Sequence, residues 1–464
     1  MENLKAGTVV IGGGPGGYAA AIRLGQLGVD TILVEKNSLG GTCLNVGCIP
    51  SKALLHASFE YYKLINESAK IGISVNQPSI DWGKTIQWKS DVVTKIVAGV
   101  AFLLKKNNVR VVNGHGKLES PTSVSVDSKY RIEADNILLA TGSKVMNIPD
   151  FPVNHTTIID STDLLELKSV PNDMVILGAG IIGMELGNVY AALGCRVTII
   201  EMMDKALANY DDESVRLVTS SFKKMGGDII LGSKAVGYEE KDGRITVIYE
   251  KKGETSRIEA DKLAVTVGRV PNIDSLGLEE AGVLMQKNRI IVNNQFQSSV
   301  PTIYAVGDLI DGPMLAHKAT AEGVLTAEGI AGEKISRVDI KSIPDVVYTK
   351  PEIAKVGLME KEATEKNIEV ITGKFPLAAL GRTATTIEQV GFIKYVAEKE
   401  SKIIIGALVV STKASELISE AALAVEMGAT LDDVALTIHP HPTFSEGHME
   451  AAAAGLKKAI HIIN

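Results

Sequence analysis

The sequence contains no apolar run long enough to span a bilayer, and it passes from Met1 into Thr8-Val9-Val10-Ile11 without a basic segment and a small-residue cleavage site. Neither a membrane protein nor a secreted one is expected, and the chain reads as cytoplasmic. Cysteine is scarce: three in 464 residues cannot form a disulfide framework of the secreted kind. Positive charge is not in excess either. Lys and Arg number 48 against 55 Asp and Glu, a net charge of −7, so a nucleic-acid partner is not expected. With 45% hydrophobic and 22% charged residues, the composition excludes a disordered, collagen-like or coiled-coil chain. What remains is globular and too long for one core, so two to four domains are expected.

An internal repeat sets the fold expectation. Residues 8–35 read TVVIGGGPGGYAAAIRLGQLGVDTILVE and residues 174–201 read MVILGAGIIGMELGNVYAALGCRVTIIE. Gly12, Gly14, Gly17, Gly28 and Glu35 correspond to Gly178, Gly180, Gly183, Gly194 and Glu201 at one constant offset. Each copy is an apolar strand, GxGxxG, a helical stretch and a second strand ending in Glu, the pattern of a dinucleotide-binding βαβ unit. The first glycine permits the tight turn, the second lets a pyrophosphate approach, and the third lets helix and strand pack closely. The helix N-terminus favours the anion, and the terminal Glu is placed for a ribose hydroxyl. Two dinucleotides on one chain are expected. Glu201 is followed by Met202-Met203 with no arginine for a 2′-phosphate, which favours NAD over NADP at the second site, although Lys205 and Arg196 are close by.

The expected architecture is α/β, with two Rossmann-like dinucleotide-binding domains and a C-terminal α+β unit. Strand-like runs end in glycine at 136–142, 262–268 and 302–307. We divide the chain into a first nucleotide domain over 1–148, a second over 149–270, a return to the first over 271–341, and the third unit over 342–464. That third unit carries a strand near Gly391–Ala397 and an Ala/Glu/Leu helix over Ala414–Met427, with no nucleotide signal.

Directly after the first βαβ unit comes GGTCLNVGCIPSKA, with Cys43 and Cys48 five positions apart. In an ideal helix their Cα atoms would be roughly 8.6 Å apart, and a disulfide needs about 4.4–6.8 Å, so bonding requires a distortion that Gly47 is placed to supply. A redox dithiol abutting a nucleotide site suggests electron exchange with the bound cofactor. A flavin accepts electrons from thiolates as well as hydride, so the first nucleotide is expected to be FAD. The other reading of the pair is two small buried side chains. Cys195 precedes an apolar strand and is expected in the core.

GGTCLNVGCIPSKALL resembles the active-site segment of the pyridine nucleotide–disulfide oxidoreductases, as do YAVGDL (304–309), MLAHKA (314–319), YTKPEIAKVG (348–357) and HPHPTFSE (439–446). The likeness covers essentially the whole chain, and Ser51-Lys52 resembles the members that oxidise dihydrolipoamide. It implies Cys43 as the thiol that meets substrate and Cys48 as the thiol that contacts the flavin. Lys52, four residues beyond Cys48, is implied to pair with Glu185, which stands where the first copy of the repeat has Ala19. The alternative for Lys52 is a solvated helix lysine.

The resemblance further implies His441 as acid–base, oriented by Glu446 and donated across a two-fold axis, so that active sites are shared within a homodimer and the third unit is the dimerisation domain. The His441–Pro442 bond is implied to be cis. His439, His441 and His448 could instead form a metal site, but Pro440 and Pro442 break any shared face, and no metal is expected. Asp308, Gly116, Thr141, Gly142 and Ala316 are implied to line the flavin, and Gly268 the nicotinamide. The implied partner is the lipoyl-bearing subunit of a 2-oxo acid dehydrogenase complex or of the glycine cleavage system. Ala379-Leu380-Gly381-Arg382-Thr383 and Ser411-Thr412-Lys413 depart from the family's usual residues, which bears on partner docking. A glutathione-type reductase is the alternative activity, weakened by Glu201-Met202-Met203. A mercuric reductase is disfavoured by the absence of a cysteine after Cys195, and a non-catalytic flavoprotein by the presence of the dithiol, Lys52 and His441.

Overall fold

The computed structural model describes residues 1–334, 342–387 and 390–464; the expected division at residue 341 lies outside them. Three sheets organise the chain. In the first, parallel strands Arg110–Asn113, Thr31–Glu35, Glu2–Ile11 and Tyr130–Leu139 lie side by side. The last of these is shared along one edge: its first half pairs with an antiparallel meander over 116–126, and its end pairs in parallel with the returning strand Ile303–Ala305. The strands are nearly continuous runs of Val, Ile and Leu because helices cover the sheet, and Val9, Val10, Leu33, Leu138 and Ile303 are fully buried.

The second sheet repeats this plan with parallel strands 228–230, 196–200, 173–177, 262–265 and 158–160 in that order. It carries a three-stranded antiparallel excursion over 233–260 that the sequence reading did not anticipate. The two outer strands are exposed over much of their length and tied by charge pairs such as Arg257–Glu239, and only the middle strand alternates, with Ile245 and Val247 buried. A short antiparallel ribbon, Ser143–Val145 with Arg269–Pro271, joins the two nucleotide units.

The third sheet is antiparallel, in the order 345–347, 352–357, 404–411, 392–398, 370–376, and is packed by the helix Ala414–Met427. That helix has the expected bounds, and the strand expected near 391–397 runs Phe392–Glu398. The fold is thus α/β with two Rossmann-like units and a C-terminal α+β unit, as expected. No helix among the described residues is long and apolar enough to cross a membrane.

Polar ties fix the second unit against the third. Lys394, 8% exposed, donates to Asp211 Oδ2 at 3.1 Å and Glu360 Oε2 at 2.7 Å. Removing a buried partner strands the opposite charges, which costs about 3–5 kcal/mol when all are buried and less here because Glu360 is 40% exposed. Lys394→Met is expected to lower the thermal unfolding temperature by several degrees, read by calorimetry, without displacing any residue of the cleft described below.

Candidate active site

Both GxGxxG turns open into one continuous cleft of about 1990 Å³. The helices Pro15–Gln26 and Ile181–Ala192 begin at Gly14 and Gly180, and neither N-cap carries a side-chain hydrogen bond. Their first N–H groups are therefore left for an anion. Gly12 and Gly178 have φ of +105° and +99°, turns that a side chain resists. Gly17 and Gly183 do not line the cleft. A Cβ on either would lie 1.8 or 2.0 Å from the carbonyl oxygen of Gly12 or Gly178, so they serve helix–strand packing. A Cβ at Gly180 would meet nothing within 4 Å, and one at Gly14 only Gly41 at 3.9 Å, which leaves an open cradle at each second glycine.

Glu35 Oε2 accepts the Gly13 amide at 2.6 Å and Oε1 the Asn37 amide at 2.7 Å; Glu201 repeats this with Ala179 at 2.7 Å and Met203 at 2.8 Å. Each carboxylate is thus pinned by its own loop and retains lone pairs for a ribose hydroxyl. The two cations near the second site are engaged: Lys205 Nζ bonds Asp212 Oδ1 and the Tyr210 carbonyl, both at 2.5 Å, and Arg196 Nε bonds Asp173 Oδ1 at 2.5 Å.

Cys43 and Cys48 form a disulfide on the cleft wall, with Cα atoms 4.7 Å apart. The helix Gly41–Val46 stops, Gly47 takes φ −146° and ψ −112°, and a new helix, Cys48–Asn66, begins. The expected distortion is therefore a complete break. On the new helix, Lys52 Nζ donates to Glu185 Oε2 at 2.7 Å and lies 4.3 Å from the centre of the Tyr348 ring. Glu185, 4% exposed, also accepts the Tyr348 amide at 2.9 Å. Lys52 is thus not a free helix lysine, and one buried carboxylate joins all three units. Cys195 is buried, free and pushed up to about 12 by desolvation, with no part in this chemistry.

Thr141, Gly142, Gly116, Asp308, Ala316 and Gly268 all line the same cleft. The sequence reading missed what supports Asp308. Ser143 Oγ donates to Asp308 Oδ2 at 2.5 Å, and Arg269 Nε donates to Ser143 Oγ at 2.8 Å. Burial holds the Arg269 guanidinium below its usual value despite the nearby Asp308 and Asp160. The signal was a Ser following Thr141-Gly142 and an Arg following Gly268, each adjacent to a residue already singled out.

His441 and Glu446 lie outside this cleft, beside a second cavity of about 90 Å³. His441 Nδ1 is 2.8 Å from Glu446 Oε1, Glu446 Oε2 accepts the Thr443 amide at 2.8 Å, and the His441–Pro442 bond is cis. Burial raises the Glu446 carboxyl, but the Thr443 amide and His441 outweigh it and hold the group below its usual range. The His441 side chain is 74% exposed. The three neighbouring histidines have separate partners: His439 bonds Glu420 and His448 bonds Tyr395 and the Leu417 carbonyl. Among the described residues, no group of three or more His, Cys, Asp or Glu is placed to hold a metal ion.

A disulfide between two dinucleotide cradles defines a nucleotide-linked disulfide oxidoreductase. The chain belongs to the pyridine nucleotide-disulphide oxidoreductase family, whose model matches residues 7–323, with the family's dimerisation domain matching 343–452. It is similar to the dihydrolipoyl dehydrogenase of Geobacillus stearothermophilus, at 45% identity over 99% of this chain and 98% of the relative. It is also similar to the mitochondrial dihydrolipoyl dehydrogenase of Dictyostelium discoideum, at 42% identity over 98% and 95%. Among solved structures, LpdA of Mycobacterium tuberculosis matches with a TM-score of 0.89 at 25% identity, over 97% of this chain and 99% of that one. The HOCl-induced flavoprotein disulfide reductase RclA of Escherichia coli, as its Cu(II) complex, matches at 0.86 and 26%, with the same coverage.

The glycines make separable predictions. Gly183→Ala forces a Cβ onto a backbone carbonyl and is expected to lower the melting temperature markedly. Gly180→Ala is expected to fold normally but to raise KM for NADH several-fold, read by steady-state kinetics beside a thermal melt.

Proposed function

We propose that this chain oxidises dihydrolipoyl groups on a lipoyl-bearing subunit to the cyclic disulfide and reduces NAD⁺, as a cytoplasmic homodimer with FAD at the first cradle and NAD at the second. The observation that carries this reading is the Cys43–Cys48 disulfide on the wall of the cleft that both cradles share. The relatives' names support the substrate, and Glu201 with Lys205 and Arg196 already engaged supports NAD. The implied roles of the cofactor-lining residues, and the divisions at 148, 270 and 341, belong to the same proposal.

The chemistry of the chain's own residues follows. A substrate thiol attacks Cys43 Sγ as its proton passes to His441 of the partner subunit, the Cys43–Cys48 bond breaks, and Cys48 leaves as a thiolate. The second substrate thiol then closes the lipoyl ring and frees Cys43, which keeps the hydrogen of that thiol, while the partner's His441 holds the proton of the first. Glu446 fixes the imidazole through Nδ1, leaving Nε2 for that proton. Lys52, anchored by Glu185, places a cation four residues beyond Cys48, where it stabilises negative charge. FAD, when bound, supplies an acceptor that takes an electron pair from sulfur and passes it on as hydride.

The test compares wild type with Cys43→Ser in the holoenzyme. Wild type is expected to oxidise dihydrolipoamide with NAD⁺ by ping-pong kinetics and to prefer NADH to NADPH in the reverse assay. Cys43→Ser should lose dihydrolipoamide turnover by at least 10³-fold, a magnitude typical of removing a covalent nucleophile, while NADH still bleaches the flavin. Retained turnover, or faster reduction of oxidised glutathione than of lipoamide by wild type, would overturn the reading. Dissociated monomers in ultracentrifugation should be inactive.

A further inference from the structure

The helix Ala316–Ile330 buries two opposite charges one turn apart. Lys318 is 1% exposed and Glu322 3%, with Lys318 Nζ 3.0 Å from Oε1 and 3.1 Å from Oε2. Such a pair is a weak source of stability, because desolvating two charges offsets their attraction, and apolar replacements of similar volume are often neutral. The pair also bonds both the amide and the carbonyl of Gly307. The Gly307 amide donates to Glu322 Oε2 at 2.8 Å, and Lys318 Nζ donates to the Gly307 carbonyl at 3.2 Å, which Ile310 N also reaches at 3.3 Å. Gly307 is buried at φ +73°, a backbone conformation open to glycine. The next residue is Asp308, whose carboxylate lines the cleft and is tied to Ser143.

We infer that Lys318 and Glu322 are positioning residues that clamp the Gly307 peptide and so aim Asp308 at the flavin, an inference that rests on the first cradle being the FAD site. Ser143 and Arg269 fix the carboxylate from one side of the cleft, and the ion pair fixes the backbone that carries it from behind. Without the pair, the buried Gly307 amide loses its acceptor and the peptide turns to find another. Asp308 moves with it.

The double variant Lys318→Met, Glu322→Leu removes both clamp bonds while keeping an apolar core. Holoenzyme and apoprotein are compared by the rate of FAD release, followed by flavin fluorescence on dilution, and by thermal melts of the apoprotein. Release at least tenfold faster with an apoprotein melt within about two degrees of wild type is expected; a purely structural pair would move the melt as well. Glu322→Gln, which keeps one acceptor for the Gly307 amide, is the second variant and the one read if the double variant does not fold; its release is expected to be at least threefold faster. Flavin held by wild type and variants with equal release rates overturns the positioning role alone. A wild-type protein that binds no FAD overturns the cofactor reading instead.

Discussion

The interruption of one helix at Gly47 is the constraint on which the rest of the site depends. A continuous helix from Gly41 to Asn66 would hold Cys43 and Cys48 roughly 8.6 Å apart at Cα, beyond the reach of a disulfide. The break brings them to 4.7 Å and lets the second segment start afresh with Cys48 in its first turn. Gly47 sits where a Cβ would lie 2.9 Å from the Thr42 carbonyl oxygen, so the kink closes on a position that only a missing side chain relieves. The dithiol, its facing cleft and the helix bearing Lys52 all take their direction from that residue.

From the kink, a single carboxylate carries the geometry across the molecule. Glu185 lies on the first helix of the second nucleotide unit, receives Lys52 from the helix that follows the dithiol, and accepts the Tyr348 amide from the third unit. A buried charge with one partner would be costly; with two donors from different units it acts as a register pin. The repeat makes the same point by contrast. At the matching place the first copy has Ala19, on a helix that packs against the helix Ala316–Ile330 and pairs with it through Arg23 and Glu328.

Much of this was legible in the sequence, for physical reasons that differ by element. The two cradles were legible because GxGxxG, flanking strands and terminal Glu are set by close backbone contacts that admit few alternatives. The dithiol was legible from its position, and the helix over Ala414–Met427 from its Ala/Glu/Leu composition. The excursion over 233–260 was not legible: its outer strands face solvent and carry charge pairs, and only Ile245 and Val247 of the middle strand mark an apolar alternation, too short to stand out. Nor were Ser143 and Arg269, whose partners are distant in sequence, or the Lys318–Glu322 pair. Lys318 and Glu322 look like an ordinary exposed helix pair until the helix is seen to lie with both inside. The pairing of Glu185 with Lys52 came from resemblance, since nothing in either local sequence names the other.

The position of His441 closes the argument about assembly. The dyad with Glu446 is fully formed in one chain, yet it lies outside the dithiol cleft of that chain, and its imidazole is largely exposed. Near it in the chain, Leu436 is 81% and Ile438 94% exposed, as is Ile460 at 80%. Isolated exposed apolar residues need no explanation, but these three flank the His441–Glu446 segment in the chain, within or just beyond the stretch matching the family's dimerisation domain. Covering that segment with a second copy would bury those side chains and dry the imidazole in one step. On the proposed reading, in which His441 of one subunit serves the dithiol of the other, the contact that covers these side chains is also the one that completes the site.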